Sequence, residues 1–247
     1  MRVHIYPDNV AMGKAAAACG AEKIRSAIAE YGTANIVVAT APSQNQMYDA
    51  LVAEDIDWGK VNIFHLDEYI GLDDKHPASF RFNLHKTFLD RLPSSPLKFH
   101  PVQGENPDPQ AVCDALEKEI SDLRIDVAFI GIGENGHIAF NDPPADFDTD
   151  KAYMPVKLDE VCRRQQYKEG WFATMDAVPK IAISMTVPQI MKAAAVVNTV
   201  PDARKAEAVA GAVEGEVTNM CPASILQNHP CCDLFLDEPA ASLLKNR

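Results

Sequence analysis

Positive charge is scarce in this chain. Its 23 Lys and Arg face 35 Asp and Glu, a formal net charge of −12. That balance argues against nucleic acid and anionic membrane as main partners, since both are met first through clustered cations. Long apolar runs are missing too. No stretch approaches the roughly 20 residues of a membrane span, and the opening MRVHIYPDN lacks the basic-then-apolar order of an export signal. Cysteine is scattered: Cys19, Cys113, Cys162, Cys221, Cys231 and Cys232 contain no CxxC pair. They read as reduced core thiols of a cytoplasmic protein. Cys221, His229, Cys231 and Cys232 fit no common zinc spacing, so no metal is expected. Repeats, low-complexity runs and linkers are absent. The 247 residues, 47% hydrophobic, suffice for one large α/β domain or two small ones.

Against these absences stands a regular alternation of apolar runs and amphipathic stretches. Strands are expected at residues 3–6, 35–39, 61–66, 99–102, 127–130, 181–185, 195–200 and 233–236. Between them, Asp8 or Asn9 caps a helix to about Tyr31, further helices are expected at 44–54, from Phe80, from Pro109, and from Pro188 and Asp202, and a polar element is expected at 159–167. A turn of helix is expected at 223–227 and a short helix from Pro239. Strand alternating with helix predicts a parallel sheet covered on both faces.

The most informative stretch is IDVAFIGIGENGHIAFNDPP, residues 125–144. Its turn is GxGxxG by letter, the dinucleotide pattern. That pattern requires the last glycine to open a helix that receives the pyrophosphate. Here His-Ile-Ala-Phe-Asn-Asp-Pro-Pro follows, a poor helix start closed by a double breaker. What remains is a buried strand running into a loop with His137, Asn141 and Asp142. Ligand chemistry in parallel sheets gathers at such strand ends; the alternative is a tight loop with a solvated histidine. Two other strand ends carry polar clusters, Thr40-Ala41-Pro42-Ser43 and Asp67-Glu68-Tyr69. The first reads as an anion seat at a helix start or as plain capping by Ser43. The second reads as a capping cluster or as chemistry. Arg204 and Lys205, in the first turn of a helix, oppose its dipole and suggest an anion to be met; for Arg204 simple solvation is the preferred reading.

The segments LDEYIGL, ASFRFNLHKTFLDRL, GIGENGHIAFNDP and RKAEAVAGAVEG together resemble the isomerising glucosamine-6-phosphate deaminases, a family related to the 6-phosphogluconolactonases. The resemblance runs over nearly the whole chain and implies a single domain, 1–247, of modified doubly wound (Rossmann-like) α/β fold. Its sheet would be mainly parallel with helices on both faces. It implies conversion of glucosamine 6-phosphate and water to fructose 6-phosphate and ammonia, with no cofactor. Asp67 matches the carboxylate that moves a proton between C2 and C1. His137 matches the imidazole that opens the ring. Asp142 stands where the family usually has a glutamate supporting that histidine, and Asn135 where many members have an aspartate. Thr40, Ala41 and Ser43 match the phosphate loop, and Lys205 a phosphate-binding lysine.

Departures from the family are also visible. Pro42 removes one amide from the phosphate loop. Gly170-Trp171-Phe172 stands where Arg-Phe-Phe is usual, so Arg163 or Arg164 is expected to supply the missing guanidinium. Met154-Pro155-Val156-Lys157 replaces the Arg-x-Lys element of the enteric-type allosteric pocket, so activation by N-acetylglucosamine 6-phosphate is not expected. Family members are often oligomers, which admits a homo-oligomer here. Three alternatives stay open: a lactonase, a sugar-phosphate-sensing domain, and an enzyme of another amino-sugar phosphate such as a galactosamine derivative. Lactonases usually continue the Gly-His pair with Thr-Ala-Ser, where this chain has Ile138-Ala139-Phe140. Sensors of this fold normally carry a DNA-binding helix pair, for which neither end of the sequence shows room.

Overall fold

The computed structural model describes residues 1–246. The first half of the chain runs β1 (Arg2–Tyr6), α1 (Asn9–Tyr31), β2 (Ala34–Val38), α2 (Asn45–Leu51), β3 (Val61–His65), β4 (Asp67–Tyr69), α3 (Phe80–Thr87), β5 (Lys98–His100) and α4 (Pro109–Ile120). The second half runs β6 (Val127–Ile130), β7 (Tyr153–Lys157), α5 (Glu160–Lys168), β8 (Ile181–Met185), α6 (Val187–Met191), β9 (Ala195–Val200), α7 (Ala206–Glu214) and β10 (Cys232–Asp237). Seven strands form one sheet in the order β1-β10-β9-β6-β2-β3-β5, every neighbouring pair parallel. The fold is α/β and doubly wound, as expected.

Burial explains the strand sequences. Every residue of β2, β6 and β9 is buried, so these strands are mainly apolar rather than alternating, with Asn35, Asn198 and Thr199 as buried polar positions. On one face, α1, α2 and α3 cover the sheet through Met12, Ile24, Met47, Leu51 and Leu84, packed on Ile36, Val38 and Phe129. On the other, Val112 and Leu116 of α4, Ile190 of α6 and Val209 of α7 pack on Val37, Ala128, Ile130 and Leu234. The long helix α1 starts where Asp8 accepts a hydrogen bond from Ala11 N and stops at Gly32 with φ +83°. It lies close against the sheet because Gly20 has no side chain: a Cβ there would meet the Phe129 ring at 2.3 Å.

A second, three-stranded sheet, β4-β8-β7, is antiparallel and was not expected. Residues 67–69 and 181–185 belong to it rather than to the main sheet. β7 was missed because Tyr-Met-Pro-Val-Lys has a central proline, which demotes a run to an edge position. An edge is where β7 lies, with Pro155 opposite Ile183. Other differences are small. The expected helix at 44–54 is a 3-10 turn, Pro42–Gln44, followed by the shorter α2. Residues 239–243 form turns, not a helix.

Candidate active site

Because all seven strands of the main sheet point the same way, their C-terminal ends lie on one edge. β2 connects onward to its neighbour β3, whereas the chain leaving β6 returns to the sheet at β9 on the other side. The oppositely directed connections open a crevice between β2 and β6, the switch point where ligands bind in open α/β sheets. A cleft of about 550 Å³ lies there, lined by residues after β2, β3, β6, β9 and β10 and by α5. All three polar clusters singled out in the sequence reach it.

Asp67 is separated from its neighbour Glu68 by the pleat of β4, which sends successive side chains to opposite faces. Glu68 turns to the start of α3, accepting from Ser79 Oγ (2.8 Å), Phe80 N (3.1 Å) and Arg81 N (2.8 Å). It is a capping group. Asp67 lines the cleft, is 5% exposed, and its carboxylate has no hydrogen-bond partner among the described residues. Burial and, secondarily, the charge of Glu68 push its pKa well above the usual carboxylate range.

His137 faces the same cleft. Its Nδ1 lies 3.1 Å from Asp142 Oδ1, which leaves Nε2 as the nitrogen available to a ligand. Asp142 stands behind it. Burial acts to raise the Asp142 carboxyl, but His137, the Asn135 amide and the Asp159 N–H outweigh burial and hold it below its ordinary pKa. Asn135 lies outside the cleft surface. Its amide nitrogen donates to Asp142 Oδ1 and to Asp159 Oδ2, both at 2.9 Å, while its Oδ1 accepts from His137 N at 3.1 Å. A neutral amide suits a position between two carboxylates, where an aspartate would add a third negative charge. Asn135 is therefore a bracket for the His–Asp pair, not a group that meets the ligand.

The glycines of the loop serve this histidine, not a nucleotide. Gly136 has φ +81°, a conformation that favours glycine. At Gly133 a Cβ would lie 2.1–2.4 Å from three atoms of the His137 ring, so the imidazole occupies the space a side chain would fill. Gly133→Ala is expected to displace the ring with the fold intact. A shift of about 1 Å lowers kcat on the order of 100-fold; unchanged kcat, with the same melting temperature, would show the ring position to be unimportant.

The anion seat forms on the far wall. Gln44, the buried last residue of the 3-10 turn, donates through Nε2 to Ser43 Oγ (3.2 Å) and to the carbonyls of Ile130 and Thr199 (both 3.3 Å), and accepts from Thr199 Oγ1 (2.8 Å). One side chain thus fixes the loop after β2 against the ends of β6 and β9. Thr40, Ala41 and Ser43 line the cleft, as do Arg204 and Lys205. Asp202, at φ +87°, turns the chain from β9 into α7, its N–H donating to both carboxylate oxygens of Asp237 at 3.1 Å. Non-glycine residues rarely hold such backbone angles away from functional sites. The turn buries Lys205, which is 7% exposed and has no ion-pair partner among the described residues. Burial lowers its pKa, opposed by the charges of Glu169 and Glu134.

Arg163 and Arg164, expected to supply the missing guanidinium, do not line the cleft. Arg163 donates to the carbonyls of Met175 (2.9 Å) and Val178 (3.0 Å), and the exposed Arg164 pairs with Glu160 at 2.5 Å. Helical geometry is the reason: positions 162, 165, 166 and 169 share one face of α5, and 163 and 164 turn away. That inward stripe brings Gln165, Gln166 and Glu169 to the cleft, residues to which the sequence reading assigned no role although the spacing was visible. The arginine at the rim is Arg204, paired with Asp202 (2.9 Å) and Glu134 (3.5 Å). The Cys–His grouping near the C-terminus does not assemble either: His229 Nε2 contacts Ala193 O and its Nδ1 accepts from Cys231 N.

Comparison with known proteins agrees with this geometry. Residues 7–233 match the family of glucosamine-6-phosphate isomerases/6-phosphogluconolactonase. A glucosamine-6-phosphate deaminase of Streptococcus pneumoniae is 33% identical over 245 residues, 99% of this chain and 100% of the relative. One of Lactobacillus delbrueckii subsp. bulgaricus is 33% identical over 214 residues, 87% of this chain and 89% of that one. Among solved structures, a monomeric glucosamine-6-phosphate deaminase superposes with a TM-score of 0.90 at 29% identity, covering 99% of this chain and 100% of that chain. A 6-phosphogluconolactonase from Thermotoga maritima reaches a TM-score of 0.78 at 15% identity, covering 96% and 99%, a likeness of fold alone. With a parallel sheet, a cleft at its switch point and sequence identity spread over its length, the chain belongs to the glucosamine-6-phosphate isomerase/6-phosphogluconolactonase family.

Proposed function

We propose that the cleft converts glucosamine 6-phosphate and water to fructose 6-phosphate and ammonia. The observation that carries this reading is the placing of Asp67, a buried carboxylate without a partner, in one cleft with the His137–Asp142 pair and the Lys205 seat. The phosphate binds Lys205, Thr40, Ala41 and Ser43, and Arg204 borders it at the rim. Binding energy gathered there, away from the reacting carbons, orients the sugar. His137 Nε2 takes the proton of the anomeric hydroxyl and returns one to the ring oxygen as the ring opens. The Asp142 carboxylate, 3.1 Å from Nδ1, favours a proton on that nitrogen and stabilises the imidazolium that forms.

Asp67 then takes the C2 hydrogen as a proton and delivers it to C1, which shifts the carbonyl character to C2 as an imine. Water adds at C2 and ammonia leaves. A raised pKa makes Asp67 a stronger base than an ordinary carboxylate. A single domain, a cytoplasmic location and a small-molecule partner complete the reading. It is supported by six free cysteines, which suit a reducing compartment, and by the lack of any described helix long and apolar enough to cross a membrane.

The deciding assay is ammonia release from glucosamine 6-phosphate, with galactosamine 6-phosphate and 6-phosphogluconolactone run beside it. Rapid release from the first alone is expected. Lactone hydrolysis without ammonia release would replace this reading by the lactonase, and tight sugar-phosphate binding without turnover by a sensor.

A further inference from the structure

Behind the active-site histidine, three side chains of different chemistry converge. His137 Nδ1 and Asp142 Oδ1 are 3.1 Å apart, and a donor atom from each of His137, Asp142 and Cys162 lies within 4.8 Å of the others. Cys162 arrives from the first turn of α5, which is tied to this spot. Asp159 N donates to Asp142 Oδ2 at 2.9 Å, and the Asp159 carboxylate accepts from Asn135 Nδ2 (2.9 Å) and Cys162 N (2.5 Å). The cluster is buried: Cys162 is 1% and His137 8% exposed. Although close to Asp142, the buried Nδ1 has no aligned hydrogen-bond partner among the described residues.

We propose that His137, Asp142 and Cys162 form an inhibitory binding site for a borderline-soft divalent cation, with zinc the best match. The donor set is one imidazole nitrogen, one carboxylate oxygen and one sulfur, the types zinc takes in proteins, and hard cations such as magnesium and calcium prefer oxygen alone. Charge also balances. A carboxylate and a thiolate together neutralise a dication, so the loaded cluster carries no net charge into a buried place. Zinc bonds of about 2.0–2.3 Å in a tetrahedron set donors about 3.3–3.8 Å apart. The nitrogen and oxygen stand near that spacing, and the sulfur reaches it by a shift of about 1.5 Å at most. Water from the cleft fills the fourth position. On binding, the thiol gives its proton to solvent, and no electron transfer occurs.

The consequence rests on the role of His137 proposed above. With Nδ1 on the metal, Nε2 keeps its proton and accepts no other, so the ring-opening proton transfer stops. Occupancy of the site does not depend on that role and is measured separately.

The test is a Co2+ titration of the EDTA-treated wild-type protein, followed by Zn2+ inhibition of turnover, repeated with Cys162→Ser and Cys162→Ala. Wild type is expected to show a near-ultraviolet thiolate-to-cobalt charge-transfer band with intense visible bands of four-coordinate cobalt, all displaced by Zn2+. Both variants should lose the charge-transfer band, and their Zn2+ inhibition constant should rise about 100-fold. Their turnover without metal should stay near wild type. Serine keeps the shape of the side chain and alanine its apolar character, so an unchanged thermal transition in either variant excludes unfolding as the cause. No band in wild type, a band that survives both substitutions, or unaltered zinc sensitivity would overturn the proposal. A wild type that binds cobalt through thiolate yet never releases ammonia would support the metal site and reject the enzymatic reading.

Discussion

Asp67→Asn is expected to lower kcat by about 10²–10⁴-fold, the usual contribution of a positioned acid–base group, while binding of inorganic phosphate stays near wild type. Asparagine keeps the shape of the side chain and removes its basicity, so exchange of the C2 hydrogen with solvent should disappear. Retained exchange would take the base role away from Asp67. The same substitution should raise stability at neutral pH. In the folded protein burial, aided by the charge of Glu68, raises the Asp67 pKa well above the ordinary carboxylate range. Between the unfolded and folded values, the folded state therefore holds a proton that the unfolded state has lost, and stability falls as pH rises through that window. The amide has nothing to ionise. A gain of 1 kcal/mol corresponds to about 2–4 °C in a protein of this size class. Asp67→Asn should thus melt higher than wild type at pH 7 and match it more closely at acidic pH, where both are neutral at this position. The catalytic profile shares that origin: activity should fall on the acid side through the raised Asp67 pKa, and not at the pKa of an ordinary exposed carboxylate.

Lys205→Ala should raise KM for the sugar phosphate by about 10–150-fold, as expected for losing a charged hydrogen bond of about 1.5–3 kcal/mol, with a smaller effect on kcat. Lys205 is 7% exposed and lacks an ion-pair partner among the described residues, so a dianion is the group that would complete it. Phosphate should raise the melting temperature of wild type, because a ligand that binds only the folded state stabilises it. That increase should vanish in Lys205→Ala. An unaltered KM, or a phosphate-induced shift that survives, would place the phosphate elsewhere. Arg204 offers the natural control. It is half-exposed and already paired with Asp202 and Glu134, so its loss should matter less than that of the buried lysine.

The sequence by itself determined the doubly wound α/β fold, the strands at 127–130, 181–185 and 195–200, and three of the polar clusters that meet in the cleft. These are local properties. Runs buried on both faces are mainly apolar, helices announce themselves by a cap such as Asp8 or a first-turn proline such as Pro109, and chemistry collects where strands end. The identity of Asp67 and His137 as candidates also needed only their motifs and the family those motifs resemble.

Only the tertiary structure decided how neighbours in sequence divide their work. The pleat of β4 separated Asp67, facing the cleft, from Glu68, capping α3. The rotation of α5 turned Arg163 and Arg164 away and brought in Gln165, Gln166 and Glu169. Gln44 carries no motif, and its value lies in contacts with Ile130 and Thr199, which are remote in sequence. The same holds for Gly133, read in the sequence only as part of a GxGxxG turn and revealed as the space the His137 ring occupies. Periodicity reports which face of an element is buried. What that face meets depends on where the other elements come to rest.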